Sequence, residues 1–305
     1  MPDDGAPRAL DPTLLATFLA VHRAGRISGA AKALHLSQPA VTAQVRRLEG
    51  ALGLALFTRS VRGVVPTEAG ERLARHAVAL ERLVEVAIAD VRGEAQAERG
   101  ELVVAASTTI AAHLLPPLFA GFRGAHRDVA LRARVGNTEE VLDDVRDGRA
   151  PIGLVEGHAR AAGLRLEPFL DDEIVLVMGR DATFKLRSAR DLENVPLLVR
   201  EAGSGTRSVV ERALIKAGLG KRARARDVEL GSTEAILSGA VAGLGVAFVS
   251  RWSIRAHLAS GLVRVVPGLD LVVRRTFRWA LPAGGLAGTA ASFHAFAVRA
   301  PPVLV

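Results

Sequence analysis

Over the first ninety positions, apolar residues recur at the three-and-four spacing of amphipathic helices. Beyond position 100 they gather into short runs. Over Pro12–Ala24, Leu15, Phe18 and Leu19 mark one face and His22 and Arg23 another, which predicts a helix ended by Gly25. A second short helix is predicted over Gly29–Leu34, with Ser28 as its cap and small Ala30 and Ala31 for close packing. His35 and Leu36 make the turn. Ser37 then caps a third helix, with Gln38 and Pro39 in its first turn, running to about Leu52. Val41, Val45 and Leu48 form its buried stripe, and Gln38, Thr42, Arg46 and Glu49 its other side. The runs Leu56–Arg59 and Arg62–Pro66 predict a two-stranded wing.

Thr67 can cap a long helix reaching about Arg92. Leu73, Ala77, Leu80, Val84, Ala87 and Val91 alternate spacings of four and three along it. That is the pattern of a coiled-coil seam, here between two copies of the chain, with packing on its own domain as the plainer alternative. A polar hinge is expected over 94–100. From Glu101 onward, strands are predicted at Leu102–Ala106, Leu131–Val135, Ile152–Val155, Ile174–Met178, Leu197–Val199, Val246–Val249 and Leu262–Val266, alternating with helical stretches. This is an α/β module.

Composition narrows the chemistry. The 305 residues give room for two or three domains. There is no cysteine, so disulfides and thiolate metal sites are excluded, and no two of the eight histidines sit three or four apart. No cofactor or metal is expected. No apolar run approaches the ~20 residues of a membrane span, and no secretory h-region opens the chain. A cytoplasmic protein without membrane contact is the expectation. The net charge of +8 is unevenly spread: between Thr17 and Pro66 seven basic residues face a single acid, Glu49.

Two helices, a tight turn and a basic wing form a winged helix-turn-helix pattern, with double-stranded DNA as the partner. Gln38, Thr42 and Arg46 can reach base edges from the third helix, beside Ser37 and Pro39, while Arg59 and Arg62 suit phosphates. Such a helix on its own could equally be an alanine-rich core helix. Here the fixed spacing of further motifs decides. Ala30-Ala31, the block Ser37-Gln38-Pro39-Ala40-Val41-Thr42, Leu48-Glu49, Leu52-Gly53, Leu56-Phe57-x-Arg59 and Pro66-Thr67-x-Ala69-Gly70 together resemble the N-terminal domain of LysR-type transcriptional regulators. Arg26 and Ala43 depart from the usual pattern, and Ala43 removes one possible DNA contact.

The resemblance extends over the whole chain. It implies domains at 10–66, 67–93, 94–100 and 101–305. The last is a sensor of two lobes like periplasmic binding proteins: lobe 1 about 101–171 with 270–305, lobe 2 about 172–265. The strands crossing between lobes are placed near Asp172–Met178 and Leu262–Val272. In such folds ligands sit at the carboxyl ends of strands and at helix N-termini. Three segments take that place: Ser107-Thr108-Thr109, Asn137-Thr138 after Gly136, and Arg200-Glu201-Ala202-Gly203-Ser204-Gly205-Thr206-Arg207. A small anion suits them, although these hydroxyls could merely cap their helices. Glu156, at the end of a predicted strand, could repel that anion or pair with Arg207. The phrases around Ser107, Asn137, Glu156 and Ser204 look most like the branch controlling sulfur assimilation and carbon fixation, and they imply an oxyanion, carboxylate or phosphate effector. The resemblance also implies dimers paired into a homotetramer. An enzyme is not expected: Ala202 replaces the first glycine of a nucleophile elbow, and no Gly-Lys-Ser/Thr marks a P-loop. An effector-independent DNA-binding protein, its lobes kept for assembly, is the runner-up.

Overall fold

The structure, a computed structural model, describes residues 10–61, 63–91, 99–157, 161–219, 227–269 and 271–303. The chain forms two units, 1–92 and 93–305.

In the first unit, helices begin and end where side chains or a left-handed residue satisfy the backbone. Asp11 accepts the Thr13 N–H at 2.8 Å to open α1 (Pro12–Ala24), and Gly25, at φ +64°, closes it. Helix α2 runs Ile27–Ala33, not Gly29–Leu34: the Arg26 carbonyl already takes the Ala30 N–H at 3.2 Å, so Ser28 lies within the first turn and caps nothing. His35 turns the chain at φ +54°. Ser37 accepts the Ala40 N–H at 3.2 Å and starts α3 (Gln38–Leu52). Strands β1 (Phe57–Ser60) and β2 (Gly63–Pro66) pair antiparallel as the wing. Gly63 is required there, since a Cβ would stand 2.3 Å from the Gly25 carbonyl oxygen. Glu49 is not an outward-facing residue: its Oε1 accepts the N–H groups of Leu56 (2.8 Å) and Phe57 (3.3 Å) and so pins the entry to the wing. Phe18, Leu48 and Leu56 centre the core. Thr67 accepts the Gly70 N–H at 3.0 Å in the first turn of α4 (Glu68–Val91).

The second unit is built on one mixed sheet ordered β4-β3-β5-β11-β6-β9-β7-β8, with β10 (Val263–Val265) beside β6. The strands β3 (Arg99–Ser107), β4 (Asp128–Gly136) and β5 (Ile152–Glu156) are parallel and make lobe 1. Helices α5 (Thr108–His113), α6 (Leu115–Ala125) and α11 (Gly288–Arg299) pack on one face around Phe122, Phe293 and Trp279, and α7 (Thr138–Arg146) on the other. In lobe 2, β7 (Leu197–Arg200) lies parallel to β8 (Val228–Leu230) and β9 (Val246–Ser250). It carries α8 (Gly205–Lys216) on one face and α9 (Thr233–Val241) and α10 (Arg251–Ala259) on the other.

Two antiparallel strands join the lobes: β6 (Leu164–Gly179) and β11 (Val273–Pro282). The first crossing starts eight residues earlier than the expected Asp172, and the second begins just after the expected Leu262–Val272. Arginines within β11 hide its apolar face from a reading by hydrophobicity, and β6 mixes polar and apolar positions over its first half before the apolar run Ile174–Met178. The register of the two strands slips between Phe277 and Arg278, a bulge beside Pro168, which has no N–H to give to the ladder. Arg99 and Gly100 belong to β3, while 94–98 of the expected hinge lie outside the described residues.

Candidate functional site

On the first unit, Gln38, Pro39, Thr42, Ala43 and Arg46 line a shallow depression along the outer face of α3. Ser37 is committed to its cap, and the Thr42 hydroxyl donates to the Gln38 carbonyl at 2.9 Å. Arg59 stands exposed on β1, and Arg62 lies outside the described residues. A helix that offers amide, hydroxyl and guanidinium groups on one exposed face, next to a basic wing, can enter a major groove while the wing tracks phosphates.

In the second unit, helix N-termini from both lobes meet at the cleft. Glu156, at the end of β5, is 2% exposed. Its Oε1 accepts the Ser107 hydroxyl (3.0 Å) and the Thr109 N–H (3.2 Å). Its Oε2 accepts the Thr206 hydroxyl (2.6 Å) and Nη1 of Arg275. Arg275 also donates through Nε to Asp172 (2.7 Å) and through Nη1 to Thr206 (2.7 Å). Its guanidinium lies 5.0 Å from the Phe277 ring centre, a cation–π contact. Ser250 donates to the other Asp172 oxygen at 2.8 Å. Arg275 and Asp172 face each other directly across β11 and β6.

The two carboxylates respond differently to one environment. Burial pushes Glu156 up, but Arg275 and the hydrogen bonds from Thr206, Thr109 and Ser107 outweigh it and hold the group below its ordinary value. Burial also pushes Asp172 up, and there Arg275 and Ser250 do not overcome it.

A second cluster adjoins the first. Arg200, 5% exposed, donates to Thr108 (2.8 Å) and Thr233 (3.1 Å) and is bidentate to Glu201 (2.8 Å each). Arg200, Thr109, Ser204, Thr206 and Thr233 line a cavity of about 730 Å³ whose apolar wall includes Leu198, Val210, Ile236 and Phe248.

Of the expected sensor residues, Ser107, Thr109, Thr206 and Glu156 come together in the first cluster, and Thr108 joins the second. Thr138 donates to the Glu156 carbonyl at 3.4 Å. Asn137 caps α7 and reaches the Ala202 carbonyl at 3.4 Å. Ser204 caps α8. Gly203 has φ +85°, and a Cβ on Gly205 would stand 2.3 Å from the Glu156 carbonyl oxygen. Glu156 does not pair with Arg207. The Arg207 guanidinium is held by Glu211 (2.9 Å), Glu229 (2.7 Å) and the Arg200 carbonyl (2.8 Å), while Arg275 supplies the charge opposite Glu156. Arg275, Asp172 and Thr233 escaped the sequence reading, while Arg200, which opens the third predicted segment, proves to be the group that bridges Thr108 and Thr233. The available signal was phase: Arg275 alternates in step with Val273, Phe277 and Trp279, and Asp172 with Ile174 and Leu176, so each charge falls on a buried face.

A winged helix-turn-helix head carrying a long helix, followed by a two-lobed α/β module with a polar cleft, defines a one-component DNA-binding regulator with an effector-binding domain. Residues 12–71 match the model of the bacterial regulatory helix-turn-helix protein, lysR family, and residues 95–301 that of the LysR substrate binding domain. The chain is 34% identical over 248 residues to the HTH-type transcriptional regulator CysL of Bacillus subtilis, covering 80% of this chain and 82% of that one. It is 30% identical over 262 residues to a probable RuBisCO transcriptional regulator of Cyanophora paradoxa, covering 84% and 81%. A full-length OxyR variant from Pseudomonas aeruginosa shares the fold, with a TM-score of 0.75 at 24% identity over 95% of each chain. The chain belongs to the LysR family of transcriptional regulators. Among the described residues, no helix is long and apolar enough to cross a membrane.

Proposed function

We propose that the protein changes transcription in response to a small anionic metabolite, carboxylate, phosphate or oxyanion, bound between its lobes at Arg200, Thr108, Thr109 and Thr233. The observation that carries this is the placement of Arg200. It is a buried guanidinium at the edge of a cavity, beside the Thr108 and Thr233 hydroxyls and the N-termini of α5 and α9. The head reads sequence through Gln38, Thr42 and Arg46, beside Ser37 and Pro39, and grips phosphates through Arg59 and Arg62. Two copies join along α4, and the sensor modules pair dimers into a tetramer, so that closure of the cleft alters the spacing or bending of the bound DNA.

The test is a thermal midpoint of the full-length chain against sulfate, sulfite, phosphate, phosphoenolpyruvate, ribulose bisphosphate and citrate. A ligand that binds only the folded state at a hundredfold its Kd adds about 2.7 kcal/mol. At least one anion is expected to raise the midpoint with concentration, and Thr233→Val and Arg200→Gln to abolish the rise. A flat response across the panel, or an equal response in both variants, would overturn the proposal.

A further inference from the structure

The nest that an external anion would be expected to occupy is filled by the chain's own carboxylate. Glu156 receives four hydrogen bonds, two on each oxygen, which is the full acceptor capacity of a carboxylate. The donors come from three parts of the module. Ser107 and Thr109 belong to lobe 1 at the start of α5, Thr206 to the first turn of α8 in lobe 2, and Arg275 to a crossing strand. Glu156 is itself a lobe 1 residue, so its bond to Thr206 ties the lobes together. Gly205 permits this: any side chain there would collide with the Glu156 backbone.

We infer that Glu156 is a built-in ligand: its side chain takes the place of a free anion in this nest, holds the lobes closed without one, and thereby excludes small carboxylates and oxyanions from it. A tethered group needs no translational entropy to bind and meets its partners at high effective concentration. A free anion would have to displace a fully bonded carboxylate. It would also enter a cluster where one cation, Arg275, already faces two carboxylates, Glu156 and Asp172. Like charge resists such entry. Glu156 likewise has no lone pair left for a ligand ammonium. Whatever the protein senses must therefore engage the neighbouring Arg200 cavity, whose volume of about 730 Å³ falls in the range of organic-ligand pockets, about 300–1,000 Å³.

The experiment empties the nest and offers it a substitute. Full-length wild type and Glu156→Ala are titrated with formate and acetate at constant ionic strength, and the thermal midpoint is followed. The expected result is a saturable rise of several degrees in Glu156→Ala, absent in wild type. The rise should persist in Glu156→Ala/Thr233→Val, which separates it from binding at Arg200. A buried glutamate with only a packing role would give no such rescue. No rise in Glu156→Ala, or an equal rise in wild type, overturns the inference. If Glu156→Ala does not fold, Glu156→Gln carries the test. In either orientation its amide would set an NH2 against an obligate donor, Arg275 Nη1 or the Thr109 N–H. The chain has no cysteine, so spin labels at Arg123→Cys and Lys216→Cys, both exposed, report the distance between lobes cleanly. A broader or longer distance in Glu156→Gln is expected, and a distribution unchanged from wild type overturns the inference.

Discussion

At Glu156 and Asp172, burial acts in the same direction and the hydrogen-bond partners decide the outcome. Glu156 titrates below its ordinary value of 4.5 in the folded chain. Its contribution to stability is therefore complete above 4.5 and fades as pH falls through the lower folded-state value. Asp172 titrates above its ordinary 3.8. Its ionised form costs the folded state free energy, a cost absent below 3.8 and incurred as pH rises through the folded-state value. The two neutral replacements are thus expected to have opposite effects. At neutral pH, Glu156→Gln should destabilise the sensor by about 1–3 kcal/mol, because its amide leaves one of the four buried donors without an acceptor. Asp172→Asn should be neutral or stabilising, because Arg275 keeps Glu156 as its counter-charge. Urea unfolding at pH 7 and at acid pH measures both, and Glu156→Gln should also flatten the acid limb. Equal destabilisation by the two variants would show that Asp172, too, is held by Arg275 at a net gain.

On the scale of elements, α4 changes character along its length. Ala74, Ala77 and Val78 are buried against the head, and Leu73 packs with them. Arg23 and Glu81 (2.6 Å) tie the helix to α1. From Leu80 onward the apolar stripe turns to solvent: Leu80, Leu83, Val84, Ala87, Ile88 and Val91 are exposed. The expected seam thus divides, its first turns serving the head and its later turns free for a second copy. The double variant Leu83→Glu/Ile88→Glu is expected to halve the assembly, leaving pairs joined only through their sensor modules, with unchanged helical content. It should lose about 10²–10⁴-fold in DNA affinity, since two linked heads gain by avidity. An assembly of unchanged size despite both charges would place the interface elsewhere. In the wing and α3, the roles separate by salt. Arg59→Ala should weaken binding at every sequence and lower the slope of log K against log salt by about one. Thr42→Ala should alter which sites are recovered in a selection while leaving that slope intact.

For the whole molecule, the head was legible almost residue by residue. Its caps, turns and helix ends are local, and local chemistry is written in neighbouring letters: Gly25 and Ser37 each act within a turn of their own position. Ser28 misled because a backbone carbonyl two residues earlier had already begun the helix. The lobes and most strand cores were also legible, and with them the gathering of Ser107, Thr109 and Thr206. The centre of the cleft was not. Arg275 lies 119 residues from Glu156 and 103 from Asp172. Within a run of arginines it reads as surface charge until the pairing of β6 with β11 turns it inward. The same distance in sequence makes this cluster suited to coupling, because both lobes and both crossing strands contribute a group to it.

Coupling between the lobes and the DNA is measurable through linkage: an effector that alters DNA affinity must itself bind with an affinity altered by DNA. The most direct measurement is fluorescence anisotropy of the full-length chain on its own selected DNA site, at fixed ionic strength, across the anion panel, for wild type and Thr233→Val. The account predicts that an anion shifts the wild-type affinity by a factor of about 5–150, the usual span of allosteric coupling, and leaves Thr233→Val unmoved. Affinities indifferent to every anion in the wild type, or shifted equally in the variant, would contradict it.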